Sequence, residues 1–205
     1  MSAVALIHVV DDDESMRIAL LELLAAAGFE ARGYASTGEF LLQPLSDRPG
    51  CVLLDVRLPG PSGLELQEAL RRQGATLPVV FLTGHADVPT SVRAMKAGAV
   101  DFLEKPVRRE VLLDALQRAL AADAATRGLR AEAEGQSARL AALTPREREV
   151  FDRIVAGKRN KDIAAELGIA LRTVKAYRAQ LMAKLDVSSP AELGRLAGAP
   201  HEASS

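Results

Sequence analysis

Five residues in the first half of the chain stand where short apolar runs end, and their chemistries complement one another. Asp11 and Asp12 follow Val4-Ala5-Leu6-Ile7-His8-Val9-Val10, Asp55 follows Cys51-Val52-Leu53-Leu54, Thr83 follows Val80-Phe81-Leu82, and Lys105 follows Phe102-Leu103-Glu104. Clustered carboxylates repel one another unless a cation joins them, and oxygen ligands with open positions suit Mg²⁺. A cation held there would neutralise incoming phosphoryl oxygens and leave one carboxylate as a nucleophile. Lys105 would supply a point charge and Thr83 a hydrogen bond for the transferred group. Taken singly, each residue has an ordinary explanation. Asp12 or Asp13 can cap a following helix, Thr83 can be a turn residue before Gly84, and Lys105 can be a solvated surface lysine. Asp55 is harder to dismiss, because a carboxylate at the end of an apolar strand needs a partner.

These residues must be positioned by the elements around them. Apolar runs predict strands at about 4–10, 29–34, 51–55, 78–82 and 100–103, and helical spacing predicts helices at about 16–27, 36–43, 62–73, 88–97 and 108–120. Five strands alternating with five helices imply right-handed crossovers and a parallel sheet covered on both faces. Ligands of such a sheet bind beyond the carboxyl ends of its strands, where strand order reverses, and that is the edge at which the three carboxylates, the hydroxyl and the ammonium would meet.

Beyond about residue 120 the character changes. Residues 121–139 are Ala-rich and charged, contain Gly128 and Gly135, and read as a helical extension fraying into a linker, with one long helix as the alternative. Only helix signals follow, at about 145–156, 160–167, 171–185 and 189–197. Thr144-Pro145-Arg146-Glu147 has the form of a capping box. On the helix from Leu171 to Leu185, Val174, Tyr177, Leu181 and Leu185 share one face, while Arg172, Lys175, Ala176, Ala179, Gln180 and Ala183 point the other way. An outer face of small residues with a few long polar ones can lie close in a DNA major groove. Lys158, Arg159 and Lys161 cluster near the start of the preceding helix, suited to phosphate.

Bulk properties narrow the classes. Nearly half of the 205 residues are apolar (48%), which excludes a disordered chain. Cys51 is the single cysteine, so no intramolecular disulfide forms and a reducing setting is expected. No signal peptide is evident and no uncharged apolar run approaches the roughly 20 residues of a membrane helix, so a cytoplasmic protein with no membrane partner is expected. The net charge of −1 hides an asymmetry: residues 137–205 carry 12 Lys and Arg against 8 Asp and Glu, and residues 1–136 carry 14 against 19. An acidic half followed by a basic half suggests that the second meets a polyanion.

His8-Val9-Val10-Asp11-Asp12-Asp13-Glu14, Leu53-Leu54-Asp55-Val56-Arg57-Leu58-Pro59-Gly60, Phe81-Leu82-Thr83-Gly84-His85, Ala94-Met95-Lys96-Ala97-Gly98-Ala99 and Asp101-Phe102-Leu103-Glu104-Lys105-Pro106 resemble the receiver domains of two-component response regulators, in wording closest to the FixJ branch. Leu143-Thr144-Pro145-Arg146-Glu147-Arg148-Glu149-Val150, Asn160-Lys161-Asp162-Ile163-Ala164, Leu167-Gly168-Ile169 and Arg172-Thr173-Val174-Lys175 resemble the LuxR-type DNA-binding domain of the FixJ/NarL class. The resemblance implies an α/β fold: a flavodoxin-like (βα)5 parallel-sheet receiver domain over 1–120, then an Ala-rich helical linker over 121–139, and an all-α four-helix helix-turn-helix domain over 140–205.

By that resemblance Asp55 is the phosphoacceptor, assisted by Thr83 and Lys105. Asp11, Asp12, Asp55 and the backbone carbonyl of Arg57 hold Mg²⁺, no organic cofactor is expected, and Thr83 and Phe102 form the switch pair. Arg57 and His85 flank the phosphoryl group, and the Lys105–Pro106 bond is usually cis. Lys175, Ala176 and Ala179 would read bases, with Arg178 on phosphate and Lys158, Arg159, Lys161, Arg172 and Thr173 completing the DNA-binding set. Ala170 departs from the family's usual capping serine, and Tyr177 replaces a frequent histidine. The implied function is a transcriptional regulator, phosphorylated on Asp55 by a sensor histidine kinase, that dimerises and binds promoter DNA, with RNA polymerase among the candidate partners. It is not expected to be an enzyme beyond self-phosphorylation and slow autodephosphorylation. A phosphatase of the haloacid-dehalogenase type would carry a second Asp two residues after the nucleophile, where this chain has Arg57. An interaction protein working without DNA is the other rival.

Overall fold

The computed structural model describes residues 4–44, 48–85 and 87–197. The chain divides into two units, Met1–Gly128 and Leu129–Ser205. The first alternates strands and helices: β1 Leu6–Val10, α1 Glu14–Ala26, β2 Glu30–Tyr34, α2 Thr37–Leu41, β3 Gly50–Leu54, α3 Gly63–Arg72, β4 Val79–Thr83, α4 Val88–Lys96, β5 Asp101–Glu104 and α5 Arg109–Ala141. All strand pairs are parallel and the order is β2-β1-β3-β4-β5, the flavodoxin-like arrangement expected from the sequence.

Because successive strand residues point to opposite faces, the two faces collect different side chains. Ile7, Val9, Leu53, Val80 and Leu82 pack with Leu20 and Leu24 of α1 and Leu112, Leu116 and Ala119 of α5. Val10, Val52, Leu54 and Phe81 pack with Leu66 and Leu70 of α3, Ala94 of α4, and Tyr34 and Phe40. β3 and β4 are buried along their whole length, as two-sided burial requires. β1 lies between β2 and β3, so the order reverses at β1, and the chain leaves both β1 and β3 on the same edge.

The stretch 121–139 is helical, as expected, but without the expected fraying: it lies within α5, which continues through Gly128 and Gly135 as in the one-helix alternative. Glycine costs about 1 kcal/mol relative to alanine at each position, and the alanines around it are the best helix formers. Asp123, which reads in sequence as one more solvated helix residue, is fully buried. Its Oδ2 accepts from the Gly50 backbone N–H at 2.9 Å and from Arg127 Nε at 2.8 Å.

Among its described residues the second unit holds the end of α5 and four further helices, α6 Pro145–Val155, α7 Asn160–Leu167, α8 Leu171–Leu185 and α9 Pro190–Ala197. Leu140, Val150, Phe151, Ile154, Ile163, Val174, Leu181, Leu185 and Leu193 form its core. The capping box at Thr144 is present: the Thr144 hydroxyl accepts from the Glu147 N–H, and the Glu147 carboxylate accepts from the Thr144 N–H. Residues 198–205 of the expected domain lie outside the described residues.

Candidate functional site

The five convergent residues of the first unit sit where strands end. β1 stops at Val10 and delivers Asp11 and Asp12, β3 stops at Leu54 and delivers Asp55, Thr83 closes β4, and Lys105 follows β5. The Lys105 ammonium joins two of the acids, at 2.6 Å from Asp11 Oδ2 and 2.7 Å from Asp55 Oδ2. Only 14% of its side chain is exposed, so it is no solvated surface lysine. Burial pulls this ammonium down, but the hydrogen bonds to Asp11 and Asp55 outweigh it and hold the group above the usual lysine value.

Asp11 and Asp55 are further ordered by backbone amides, Asp13 N–H to Asp11 Oδ1 and Arg57 N–H to Asp55 Oδ1, both at 3.0 Å. Of the two acids that could cap α1, Asp13 does so, accepting from the Met16 N–H at 3.0 Å. Asp12 is left exposed. One carboxylate oxygen from each of Asp11, Asp12 and Asp55 lies within 4.8 Å of the others. Three hard anionic donors around one lysine are short of positive charge, so the donor set fits a divalent cation taking oxygen ligands.

Thr83 is fully buried, with its hydroxyl accepting from the His85 N–H at 3.4 Å, while Arg57 and His85 are exposed. Phe102 is half-buried on β5, its ring 5.8 Å from that of Phe81. The Lys105–Pro106 bond is cis. Gly63, at the start of α3, is required by space: a Cβ there would lie 2.2 Å from the carbonyl oxygen of Asp55.

In the second unit, α8 separates its faces as the spacing predicts. Val174, Leu181 and Leu185 are buried and Tyr177 packs against them, whereas Arg172, Lys175, Ala176, Ala179, Gln180 and Ala183 are exposed. Ala170 caps α8 without a side-chain hydrogen bond. Arg159 and Lys161 are exposed and Thr173 is half-buried. Two residues of the expected DNA set are already engaged. Lys158 pairs with Glu166, and Arg178 donates to Asn160 Oδ1 at 3.0 Å.

Comparison with known proteins matches residues 7–117 to the response regulator receiver domain and residues 141–197 to the bacterial regulatory proteins of the luxR family. The chain belongs to the two-component response regulators. It is 44% identical over 193 residues to the transcriptional regulatory protein FixJ of Bradyrhizobium diazoefficiens, covering 93% of each chain. It is 43% identical over 195 residues to nodulation protein W of the same organism, covering 95% of this chain and 86% of that one. The solved structure of the response regulator StyR is 44% identical, with a TM-score of 0.83 over 95% of this chain and 98% of that one.

This response regulator is therefore a FixJ-like transcriptional regulator, with a receiver domain that implies a sensor kinase and a LuxR-type domain that implies DNA. Sequence reading missed three features of it: Asp123, the pairing of Lys158 with Glu166, and Arg17, whose guanidinium donates to the carbonyl oxygen of Asp11 at 2.7 Å. Only the last carried a signal, since Gly33 interrupts a strand opposite it. No described helix is long and apolar enough to cross a membrane.

Proposed function

We propose that Asp55 accepts a phosphoryl group from a sensor histidine kinase and that the modified protein dimerises and binds promoter DNA. The observation that carries this reading is the Lys105 ammonium held between Asp11 and Asp55 at the edge where the strand order reverses. A carboxylate oxygen of Asp55 bonds to phosphorus as the donor's phosphorus–nitrogen bond breaks, and Lys105 is placed to pair with the transferred oxygens. Asp11, Asp12, Asp55 and the Arg57 carbonyl would hold Mg²⁺, which when bound neutralises phosphoryl charge. Thr83, buried beside the site, can then donate its hydroxyl to the phosphoryl group, and Phe102 can turn inward as its partner in the switch.

Dimerisation is supported by Val88, Val92 and Met95, which expose 74%, 43% and 47% of their surface along one side of α4. On α8, Lys175, Ala176 and Ala179 would read base edges. Arg172, Thr173, Arg159, Lys161, Lys158 and Arg178 would meet phosphates, Lys158 after exchanging Glu166 for DNA. Contact with RNA polymerase, a cytoplasmic location and the lack of any outside substrate complete the proposal.

The test is intact mass and oligomeric state after incubation with a small phosphodonor, with and without Mg²⁺, beside Asp55→Asn. Mg²⁺-dependent gain of one phosphoryl group, lost in the variant and accompanied by dimerisation and salt-dependent duplex binding, is the expected outcome. Catalytic turnover of a phosphate ester, or unaltered phosphorylation of the variant, would overturn it.

A further inference from the structure

We infer that Arg17 is a positioning residue for the acidic pair, lying in a slot left by Gly33 and fixing the peptide between Asp11 and Asp12 so that Asp12 faces the cation. This rests on the reading of Asp11, Asp12 and Asp55 as the Mg²⁺ ligands.

Asp12 makes no side-chain hydrogen bond among the described residues, so its direction is set by the main chain on either side. Both flanking peptides are pinned. On one side Arg17 Nη1 donates to the Asp11 carbonyl at 2.7 Å, a charge-assisted bond. On the other, the Asp13 N–H donates to Asp11 Oδ1 at 3.0 Å. Asp11 is anchored as well by its own N–H, which donates to the Tyr34 carbonyl at 3.1 Å, and by Lys105. Arg17 supplies the only side chain in this set that holds the Asp11–Asp12 peptide itself.

The placement of Arg17 is otherwise hard to explain. It is the fourth residue of α1, at the end of the first turn and close to the positive end of the helix dipole, where a cation gains nothing. No carboxylate among the described residues lies within ion-pair distance of it.

Gly33 accounts for how it is held. The residue is in the middle of β2, where glycine weakens a strand, and its φ is not positive, so its backbone does not demand glycine. A Cβ there would meet Arg17 Cγ and Cδ at 3.0 Å and Leu21 Cδ1 at 3.1 Å. The missing side chain is the space through which the Arg17 stem runs to the Asp11 carbonyl.

The experiment is calorimetric titration of Mg²⁺ into the full chain, together with phosphorylation by a small phosphodonor across Mg²⁺ concentrations. Arg17→Met keeps the stem in the slot and removes the donor, Arg17→Lys restores a shorter donor, and Gly33→Ala crowds the slot with the arginine intact. Groups that orient metal ligands typically govern affinity by tenfold or more, so Arg17→Met is expected to weaken Mg²⁺ binding about tenfold. Arg17→Lys should recover part of that loss, and Gly33→Ala should weaken binding in the same direction by less. The half-saturating Mg²⁺ should rise with the dissociation constant while the plateau phosphorylation rate stays within about twofold of wild type. Melting without metal reports whether each variant is folded. Wild-type Mg²⁺ affinity in folded Arg17→Met overturns the proposal, as does a lowered plateau with unchanged affinity. Unchanged affinity in Gly33→Ala overturns the slot. A wild-type chain that binds no Mg²⁺ would remove the Mg²⁺-site reading first, and this proposal with it.

Discussion

His8 should make the receiver unit sensitive to mild acid, by an amount the structure sets. The residue is 8% exposed, its Nδ1 lies 2.9 Å from the Tyr34 hydroxyl, and its ring stacks on Tyr34 at 5.7 Å and meets the edge of Phe40 at 5.3 Å. Burial, reinforced by the charges of Arg32 and Arg48, lowers its pKa from 6.5 to about 4. Since the folded value lies below the unfolded one, the unfolded chain takes up the proton first as pH falls. The His8 contribution is complete above pH 6.5 and is lost progressively down to pH 4. Linkage over that window removes about 2 kcal/mol between pH 7 and pH 5 and saturates near 3 kcal/mol.

His8→Phe keeps an aromatic ring and abolishes the titration. The difference in urea stability between the two proteins isolates His8, because every other titrating group cancels to first order. It should shift by about 2 kcal/mol in the variant's favour on going from pH 7 to pH 5, roughly a 1 M relative shift in midpoint for a domain of this size. A difference constant to within about 0.5 kcal/mol across the two pH values would refute the burial argument, whatever the absolute stabilities.

Asp123→Ala should destabilise the receiver unit by about 3 kcal/mol, because it leaves the buried Gly50 N–H unpaired and removes the carboxylate that Arg127 Nε meets, a loss readable in the urea midpoint. The Cys51 thiol is fully buried and pushed up to about 12 by burial and by Asp123, so a thiol-reactive dye at pH 8 should label the chain only under denaturing conditions. Ala170→Ser supplies α8 with the hydroxyl cap it lacks and should stabilise the second unit by about 1 kcal/mol, or several degrees in melting temperature.

The sheet and the receiver pocket were legible because both rest on local signals. Short β-branched runs announce the strands, and the residues immediately after them can only lie on the sheet's carboxyl edge. The two faces of α8 were legible from periodicity in the same way. What stayed hidden depends on which distant segment a side chain meets. Asp123 follows an alanine run and looks solvated until β3 begins beneath it, with Gly50 offering an N–H. Asp12 and Asp13 are equivalent as caps in sequence, and only the path of the chain into α1 gives that role to Asp13. Lys158 counts as a free cation until α7 brings Glu166 beside it. The continuity of α5 was obscured by Gly128 and Gly135, whose local preference is outweighed by the alanines around them.

The division of labour along α8 bears on how such a protein can change its targets. The positions that hold the helix in its domain are Val174, Tyr177, Leu181 and Leu185, and those that face outward include Ala176, Ala179 and Ala183, small side chains in no core contact. A mutation at an outward position alters what the helix can touch without a cavity, a clash or a lost hydrogen bond in the fold that carries it. On the proposed reading of α8 as the base-reading helix, operator preference can therefore drift by single substitutions on a scaffold whose stability stays constant, while the receiver half and its signal remain as they were.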